Sequence, residues 1–276
     1  MNAADKTSRE LLAFYVDAGV DTLVDETPVD RFADADKVAS SPVPVTARST
    51  SPPGPKRSPA NGPAVAAPSI VAPPASPDAA IMAAREAAKA ARTLDELRAL
   101  LEAFEGCMLR ATATQLVFAA GDPEGRVMFV GEAPGRDEDI AGVPFVGRSG
   151  QLLDRMMAAI ELDRTKAYIA NVVPWRPPGN RTPTPQETAI CLPFIRRQIE
   201  LADPDILVCL GQPSTQTLLG TKEGITRTRG RWLKFDTGHR EIRALATYHP
   251  AFLLRSPLQK RLAWRDFLAL KKALAE

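Results

Sequence analysis

The sequence predicts an α/β fold, a three-layer sandwich in which a central, mainly parallel, four-stranded sheet is covered by helices. Four apolar runs are short enough to be buried strands, at residues 127–131, 167–173, 206–211 and 242–248. Helical patterns separate the first three runs, at residues 149–160 and 185–201, and a shorter one follows the third at 212–219. Strands that alternate with helices are typical of a parallel sheet covered on both faces.

The composition divides the chain into three parts. Residues 1–40 are acidic and contain a short helical pattern at 8–20. Residues 41–78 hold 11 of the 25 prolines, among alanine, serine and glycine. This composition predicts a disordered linker, because it offers too little apolar surface to bury. A helical pattern from 78 to about 104 opens the folded domain at 79–276, and an amphipathic helix at 257–275 closes it.

The composition, the cysteine count and the absence of long apolar runs exclude several classes of protein. The sequence has no run of about 18 apolar residues, which predicts no membrane span. The first residues lack the basic and apolar parts of a signal peptide, which predicts a cytoplasmic protein. Three widely spaced cysteines make no disulfide framework. The net charge is only +2, but a mild basic excess within residues 81–276 permits a polyanionic partner.

Polar and glycine-rich stretches follow the predicted strands at their carboxyl ends. Gly131 breaks the first strand. Four carboxylates come soon after it, at Glu132, Asp137, Glu138 and Asp139. The other stretches are residues 143–147, 171–185 and 248–255. Parallel strands bring their carboxyl ends to one edge of the sheet, where ligands bind in open α/β folds. The sequence therefore predicts a binding site at this edge.

The side chains in these stretches suit an enzyme that flips a base out of DNA. The Asn171 amide offers a donor and an acceptor that match the edge of a pyrimidine, and Phe145 offers a flat face for stacking. His249 can supply a proton or a hydrogen bond to a developing oxyanion, and carboxylates can orient water or stabilise a cationic sugar. Taken singly, an asparagine at a strand end is typically a turn or cap residue, and a phenylalanine typically belongs to the core.

Four ordered motifs resemble the family 4 uracil-DNA glycosylases over about residues 104–275. They are Gly131-Glu132-Ala133-Pro134-Gly135, Pro144-Phe145-Val146-Gly147, Asn171 with the run from Arg176 to Thr184, and the run from His249 to Arg255. The resemblance implies a catalytic domain at 79–276 with the family's fold. It implies an enzyme that flips uracil out of DNA and hydrolyses its N-glycosidic bond, leaving an abasic site for base excision repair. We expect a monomer that needs uracil-containing DNA and no obligate protein partner.

The resemblance also implies a role for each motif residue. Uracil would stack on Phe145 in a pocket that includes Gly131 and Ala133, while Asn171 reads its Watson–Crick edge. His249 would stabilise the charge that builds on uracil O2. Ala133 stands where family 1 enzymes carry an aspartate thought to activate water, so that either Glu132 or Glu138 would position water or stabilise the sugar cation. The DNA contacts would be Arg176, Arg181, Leu253, Leu254 and Arg255, with one of the two leucines filling the hole left by the flipped base.

The iron–sulfur site of the family is incomplete in this sequence. Family 4 enzymes typically hold a 4Fe–4S cluster with four cysteines, and the matching positions here are Phe104, Cys107, Trp175 and Cys191. Only two thiolates remain, whereas such a cluster normally takes four. Cys209 lies inside a predicted strand, where we expect a small buried core residue. The sequence therefore predicts no intact cluster and no required cofactor.

Two other functions stay open at this point. A divalent-metal phosphohydrolase would use Asp137, Glu138 and Asp139 as oxygen ligands. A non-catalytic module would bind uracil-containing DNA and release no base, although binding alone does not need this set of pocket residues.

Overall fold

The computed structural model describes residues 76–276, in which helices and strands alternate along the chain. The helices are α1 Pro77–Ala90, α2 Leu94–Ala103, α3 Met108–Thr112, α4 Arg136–Ala141, α5 Arg148–Ala158, α6 Pro185–Ala202, α7 Gln212–Leu219, α8 Ile225–Thr228, α9 Pro250–Arg255 and α10 Lys260–Leu274. The strands are β1 Ala120–Gly121, β2 Val127–Gly131, β3 Ala167–Asn171, β4 Ile206–Leu210, β5 Trp232–Asp236 and β6 Glu241–Thr247. The predicted helix at 8–20 and residues 41–75 of the predicted linker lie outside the described residues.

The strands form one six-stranded sheet in the order β1-β3-β2-β4-β6-β5. Its four central strands are parallel, and they are the four that the sequence predicts. The two edge strands pair antiparallel with β3 and β6, and the sequence analysis missed them. β1 has only two residues, and β5 buries only Phe235, so neither contains the apolar run that marks a buried strand.

Helices cover both faces of the sheet, which confirms the predicted three-layer arrangement. Alternate side chains of β2 point to opposite faces. Met128 and Val130 join a core completed by α1, α2 and α6, whereas Val127 and Phe129 join a second core with α5 and α10. The central strands are therefore buried on both faces, which explains why they are continuous apolar runs in the sequence.

Two helical patterns differ from the structure in their boundaries. The pattern at 78–104 forms two helices, because Thr93 caps a new one: the Glu96 N–H donates to Thr93 Oγ1 at 3.1 Å. The C-terminal pattern begins with a 3₁₀ turn, and α10 then buries Phe267 and Leu270 as predicted. No helix among residues 76–276 is long and apolar enough to cross a membrane.

The parallel register brings the loops that carry the predicted site to one edge of the sheet. Gly131, the last residue of β2, pairs with Asn171, the last residue of β3. His249 follows β6 and is the N-cap residue of α9. The three strand ends therefore carry the predicted site residues to neighbouring positions.

Candidate active site

A cavity of about 410 Å³ lies among the loops at the carboxyl ends of the parallel strands. Its wall includes eight of the predicted site residues, which are Glu132, Ala133, Glu138, Phe145, Asn171, Arg181, His249 and Arg255. Ser149 also lines the cavity, and the sequence analysis missed it because a single serine in the first turn of a helix forms no pattern. A volume of this size suits a small planar molecule.

Gly131 allows two functional side chains to approach the end of β2. A Cβ atom at this position would stand 2.4 Å from Asn171 Oδ1 and 2.7 Å from Phe145 Cζ. Both distances are shorter than a normal van der Waals contact, so the space that a side chain would take is filled by the amide and the ring. Gly131 thus contributes to the pocket by having no side chain.

A guanidinium group holds the backbone that carries the Phe145 ring. Phe145 has a φ of 56°, a left-handed conformation that non-glycine residues rarely adopt. Arg164 donates to the carbonyl oxygens of both Pro144 and Phe145 and, through Nε, to Asp154 Oδ1 at 2.9 Å. The Phe145 ring lies 5.5 Å from the His249 ring, centroid to centroid. Arg164 could not be predicted from the sequence, because a lone arginine gives no sign of which backbone carbonyl groups it will bind.

Two buried acceptor atoms, on residues that line the cavity, have no hydrogen-bond partner within residues 76–276. They are Oδ1 of Asn171 and Oε1 of Glu132. Asn171 is only 4% exposed, and an unpaired polar atom at such a site costs about 1–3 kcal/mol. Burial also raises the pKa of Glu132 above the ordinary glutamate value. Both atoms are therefore suited to accept hydrogen bonds from a ligand or from water.

His249 is neutral and its tautomer is fixed by the helix that it caps. The Ala251 N–H donates to His249 Nδ1 at 3.1 Å, so Nδ1 carries no proton. Burial, and to a lesser degree the positive charge of Arg255, lower the pKa of His249 to about 4. At neutral pH the ring proton is therefore on Nε2, which makes this atom a hydrogen-bond donor.

Glu138 braces the two loops that frame the cavity. Its Oε2 accepts from the Gly135 N–H at 3.0 Å, and its Oε1 accepts from the N–H groups of Val146 and Gly147 at 3.1 and 2.9 Å. These bonds join the start of α4 to the loop that carries Phe145. Both carboxylate oxygens are already occupied, so the geometry favours a positioning role for Glu138 and leaves Glu132 as the freer carboxylate.

The geometry contradicts the divalent-metal alternative. The oxygens of Glu138 are taken by backbone N–H groups, and those of Asp139 accept from the Thr114 N–H at 2.8 Å and the Thr114 hydroxyl at 3.0 Å. Asp137 is exposed on α4. A cation needs several oxygen atoms that converge with free lone pairs, and this acidic stretch does not present them.

Comparison with known proteins shows which family the chain belongs to. Residues 118–268 match the model of the uracil DNA glycosylase superfamily. The chain belongs to this superfamily. It is 37% identical over 179 residues to the type-4 uracil-DNA glycosylase of Archaeoglobus fulgidus, covering 63% of this chain and 90% of that protein. It is 42% identical over 151 residues to the Thermotoga maritima type-4 enzyme, covering 54% of this chain and 77% of that protein. The predicted family 4 membership and fold are confirmed.

The four cluster positions of family 4 do not fit an iron–sulfur group in this chain. Phe104 packs edge-on against Phe194 with ring centroids 5.0 Å apart, and Trp175 is only 2% exposed. The thiols of Cys107 and Cys191 are buried, and the hydrogen bond between them lowers the pKa of Cys107 and raises that of Cys191. Two positions that would need thiolates are therefore filled by aromatic packing. Within residues 76–276, no group of three or more His, Cys, Asp or Glu is placed to hold a metal ion.

The arginines predicted to contact DNA differ in how firmly they are held. Arg181 and Arg255 line the cavity. Arg181 makes a two-pronged ion pair with Glu187 at 2.8 and 2.7 Å, which lowers the pKa of Glu187 to about 2. Arg176 lies outside the cavity wall, and its Nε donates to Asn180 Oδ1 at 2.6 Å. Phosphate contacts by these three arginines stay predictions.

The structure distinguishes the two leucines that the sequence left as alternatives. Leu253 is 1% exposed and packs with Tyr248 and Ala263, so it cannot enter DNA without disrupting this core. Leu254, its neighbour on α9, is 36% exposed. Burial therefore disfavours Leu253, and the insertion of Leu254 into the hole that a flipped base leaves stays a prediction.

Proposed function

We propose that this protein is a uracil-DNA glycosylase that flips deoxyuridine out of DNA, hydrolyses its N-glycosidic bond and leaves an abasic site for base excision repair. The observation that carries the proposal is the unpartnered, buried Oδ1 of Asn171, in one cavity with the Phe145 ring and the neutral His249. Family membership supports the same activity. We further propose that the protein acts as a monomer in the cytoplasm.

In the proposed complex, Asn171 selects the base. Its Oδ1 accepts from uracil N3–H, and its amide group donates to uracil O4. Cytosine has no proton on N3 and carries an amine in place of O4, so both hydrogen bonds would be lost. The Phe145 ring stacks on the base and holds its edge towards the amide.

In the proposed reaction, the C1′–N1 bond breaks and its electron pair passes to uracil, where the charge is shared between N1 and O2. The Nε2–H of His249 donates to O2 as that charge develops. Because His249 is neutral, it acts as a hydrogen-bond donor that need not give up its proton. Water adds to the cationic sugar carbon. The unpartnered carboxylate of Glu132 positions that water and takes its proton, while Glu138 holds the loops in place.

The pH dependence of excision is expected to reflect Glu132 and not His249. With a pKa of about 4, His249 stays neutral above pH 5, so single-turnover rates should show no ionisation near 6.5, the ordinary histidine value. Glu132 must be ionised to accept a proton, and its pKa is raised, so the rate should fall as the pH drops through that value. Glu132→Gln should be slow and should lose this acidic limb. An ionisation near 6.5 that persists in Glu132→Gln and vanishes in His249→Ala would contradict this assignment.

We propose that aromatic packing replaces the cluster of the family. The purified protein should then contain less than one iron atom per chain and show no cluster absorbance. Trp175→Ala should lower the free energy of unfolding by about 3–5 kcal/mol, because it empties a fully buried site. The half-exposed Trp232 supplies the control, and Trp232→Ala should cost far less. Four iron atoms per chain, together with loss of folding when they are removed, would overturn the proposal.

The proposed activity is tested by following the base itself. Single-stranded and double-stranded oligonucleotides with one uracil are incubated with the full-length protein, and released uracil is measured by mass spectrometry. Oligonucleotides with thymine or cytosine at the same position serve as controls. Free uracil in amounts equal to the abasic sites supports the glycosylase. Tight binding without release would support the non-catalytic module.

A further inference from the structure

A second, apolar groove of about 190 Å³ lies between α5 and α10. Leu152, Met156 and Leu253 form part of its lining, and the Trp264 ring forms another part. Arg155 and Lys260 also line it, and no acidic side chain does. The groove therefore combines an apolar, aromatic interior with positive charge.

Trp264 is not needed for the core of the domain. α10 turns Ala263, Phe267 and Leu270 inward, and all three are buried. Trp264 lies between these positions and is 43% exposed. Trp264 therefore extends the apolar lining of the groove to the surface, and a contiguous apolar groove at the surface is a candidate binding site.

The cations around Trp264 are available to a ligand. Arg155, Lys260, Arg261 and Arg265 are exposed, and none of them takes part in the ion pairs found among residues 76–276. Lys260 precedes Trp264 by one helical turn, so the two side chains share a face of α10. Positive groups beside an exposed aromatic ring are the combination that binds single-stranded nucleic acid, where the ring stacks on a base and the cations contact phosphates.

We propose that this groove is a nucleotide subsite, in which Trp264 stacks on an unpaired base next to the target uracil and the nearby cations contact its phosphate. α9 connects the groove to the active site: Ala251 and Arg255 line the catalytic cavity, and Leu253 lines the groove. The two sites are thus separated by about one helix diameter, roughly 10 Å. The statement that uracil occupies the neighbouring catalytic cavity rests on the proposed function. The proposed affinity of the groove for a base does not depend on that function.

A protein partner fits these observations less well. A stable protein interface buries about 800 Å² on each partner and is depleted of charge at its centre. The groove has a volume of only about 190 Å³ and has lysine and arginine within its lining. In a symmetric dimer formed through this face, the second copy would bring its own positive groove residues against these.

The test measures binding of the full-length protein to a labelled, uracil-free single-stranded 12-mer by fluorescence anisotropy. Trp264→Ala should weaken binding about 5- to 150-fold, the range for loss of one stacked base. Trp232→Ala is the matched control: this tryptophan is also partly exposed and lies under an arginine, Arg243, but is on β5. It should bind like the wild type. Lys260→Ala should reduce the slope of log affinity against log salt concentration by about 0.7.

Excision assays then connect the groove to the reaction. With a long uracil oligonucleotide, Trp264→Ala should raise KM and leave kcat unchanged. With the mononucleotide deoxyuridine monophosphate, which has no neighbouring base to stack on Trp264, the mutant and the wild type should have similar kcat/KM.

Distinct outcomes separate this proposal from the proposed function. Equal affinity of Trp264→Ala and wild type for the uracil-free 12-mer, with both proteins folded, would overturn the subsite. A wild-type dimer that Trp264→Ala dissociates in sedimentation, with DNA affinity unchanged, would identify a second copy as the occupant and would also overturn it. Weakened 12-mer binding with no uracil release by the wild type would support the subsite and refute the glycosylase.

Discussion

His249→Ala is expected to slow uracil excision by about 100- to 1,000-fold, the effect of removing one donor to an oxyanion. The loss should appear in kcat more than in KM, because the charge on uracil O2 develops only as the glycosidic bond breaks. Single-turnover rates on a uracil oligonucleotide give this comparison directly. The abasic product is measured after cleavage with alkali.

The chain offers a matched control for this substitution, because it contains only two histidines. His239 lies exposed in the turn between β5 and β6, and His239→Ala should excise uracil at the wild-type rate. His249→Asn retains a good N-cap residue for α9, so it separates loss of the cap from loss of the imidazole. Wild-type rates in both His249 variants would remove this residue from the proposed chemistry.

Asn171→Asp is expected to have the second large effect, a change in base selection. An ionised aspartate keeps an acceptor for N3–H but loses the donor to O4 and repels the developing negative charge. The rate of uracil excision should fall by about 5- to 150-fold. This range corresponds to the free energy of one good bidentate contact to a base edge. A protonated aspartate can donate to cytosine N3 and accept from its amine. The ratio of uracil to cytosine excision should therefore decrease.

This ratio is measured from the excision rates on two oligonucleotides that differ only in having uracil or cytosine at one position. Asn180→Asp is a suitable control, since Asn180 also lines the cavity but is exposed and accepts a hydrogen bond from Arg176. It should leave base preference unchanged. A uracil-to-cytosine ratio in Asn171→Asp equal to that of the wild type would place the amide outside base recognition.

The central sheet could be predicted because each of its parallel strands contains a run of consecutive apolar residues. Strands buried on both faces need continuous apolar runs, and the four parallel strands have them. β5 alternates exposed residues with the half-buried Leu233 and the buried Phe235, and it forms a strand because β6 offers it an edge to pair with. Such pairing depends on the assembled sheet and leaves no run to recognise.

The composition of the cavity could be predicted because parallel strands carry their ends to one edge. The loops that carry Asn171, Phe145 and His249 therefore meet at one site, whatever the individual distances are. The sequence could not separate Glu132 from Glu138, since the difference between them is which oxygens find N–H partners in the folded loops.

The sequence also could not predict which of two adjacent side chains on a short helix is buried. Leu253 and Leu254 have the same chemistry, and only the orientation of α9 decides that the first is buried and the second exposed. The clamp by Arg164 is a further example, because its partners are backbone carbonyl groups that any residue could supply.

The most direct test of the central claim is alkaline cleavage of an end-labelled oligonucleotide with a single uracil, after incubation with the full-length protein in EDTA. We predict cleavage at the uracil position only after alkali treatment, unaffected by EDTA and absent from the thymine control. This result would show an abasic site made without an added divalent metal. An intact oligonucleotide after incubation of both single- and double-stranded forms with folded protein would contradict the glycosylase, as would strand cleavage that needs no alkali and stops in EDTA.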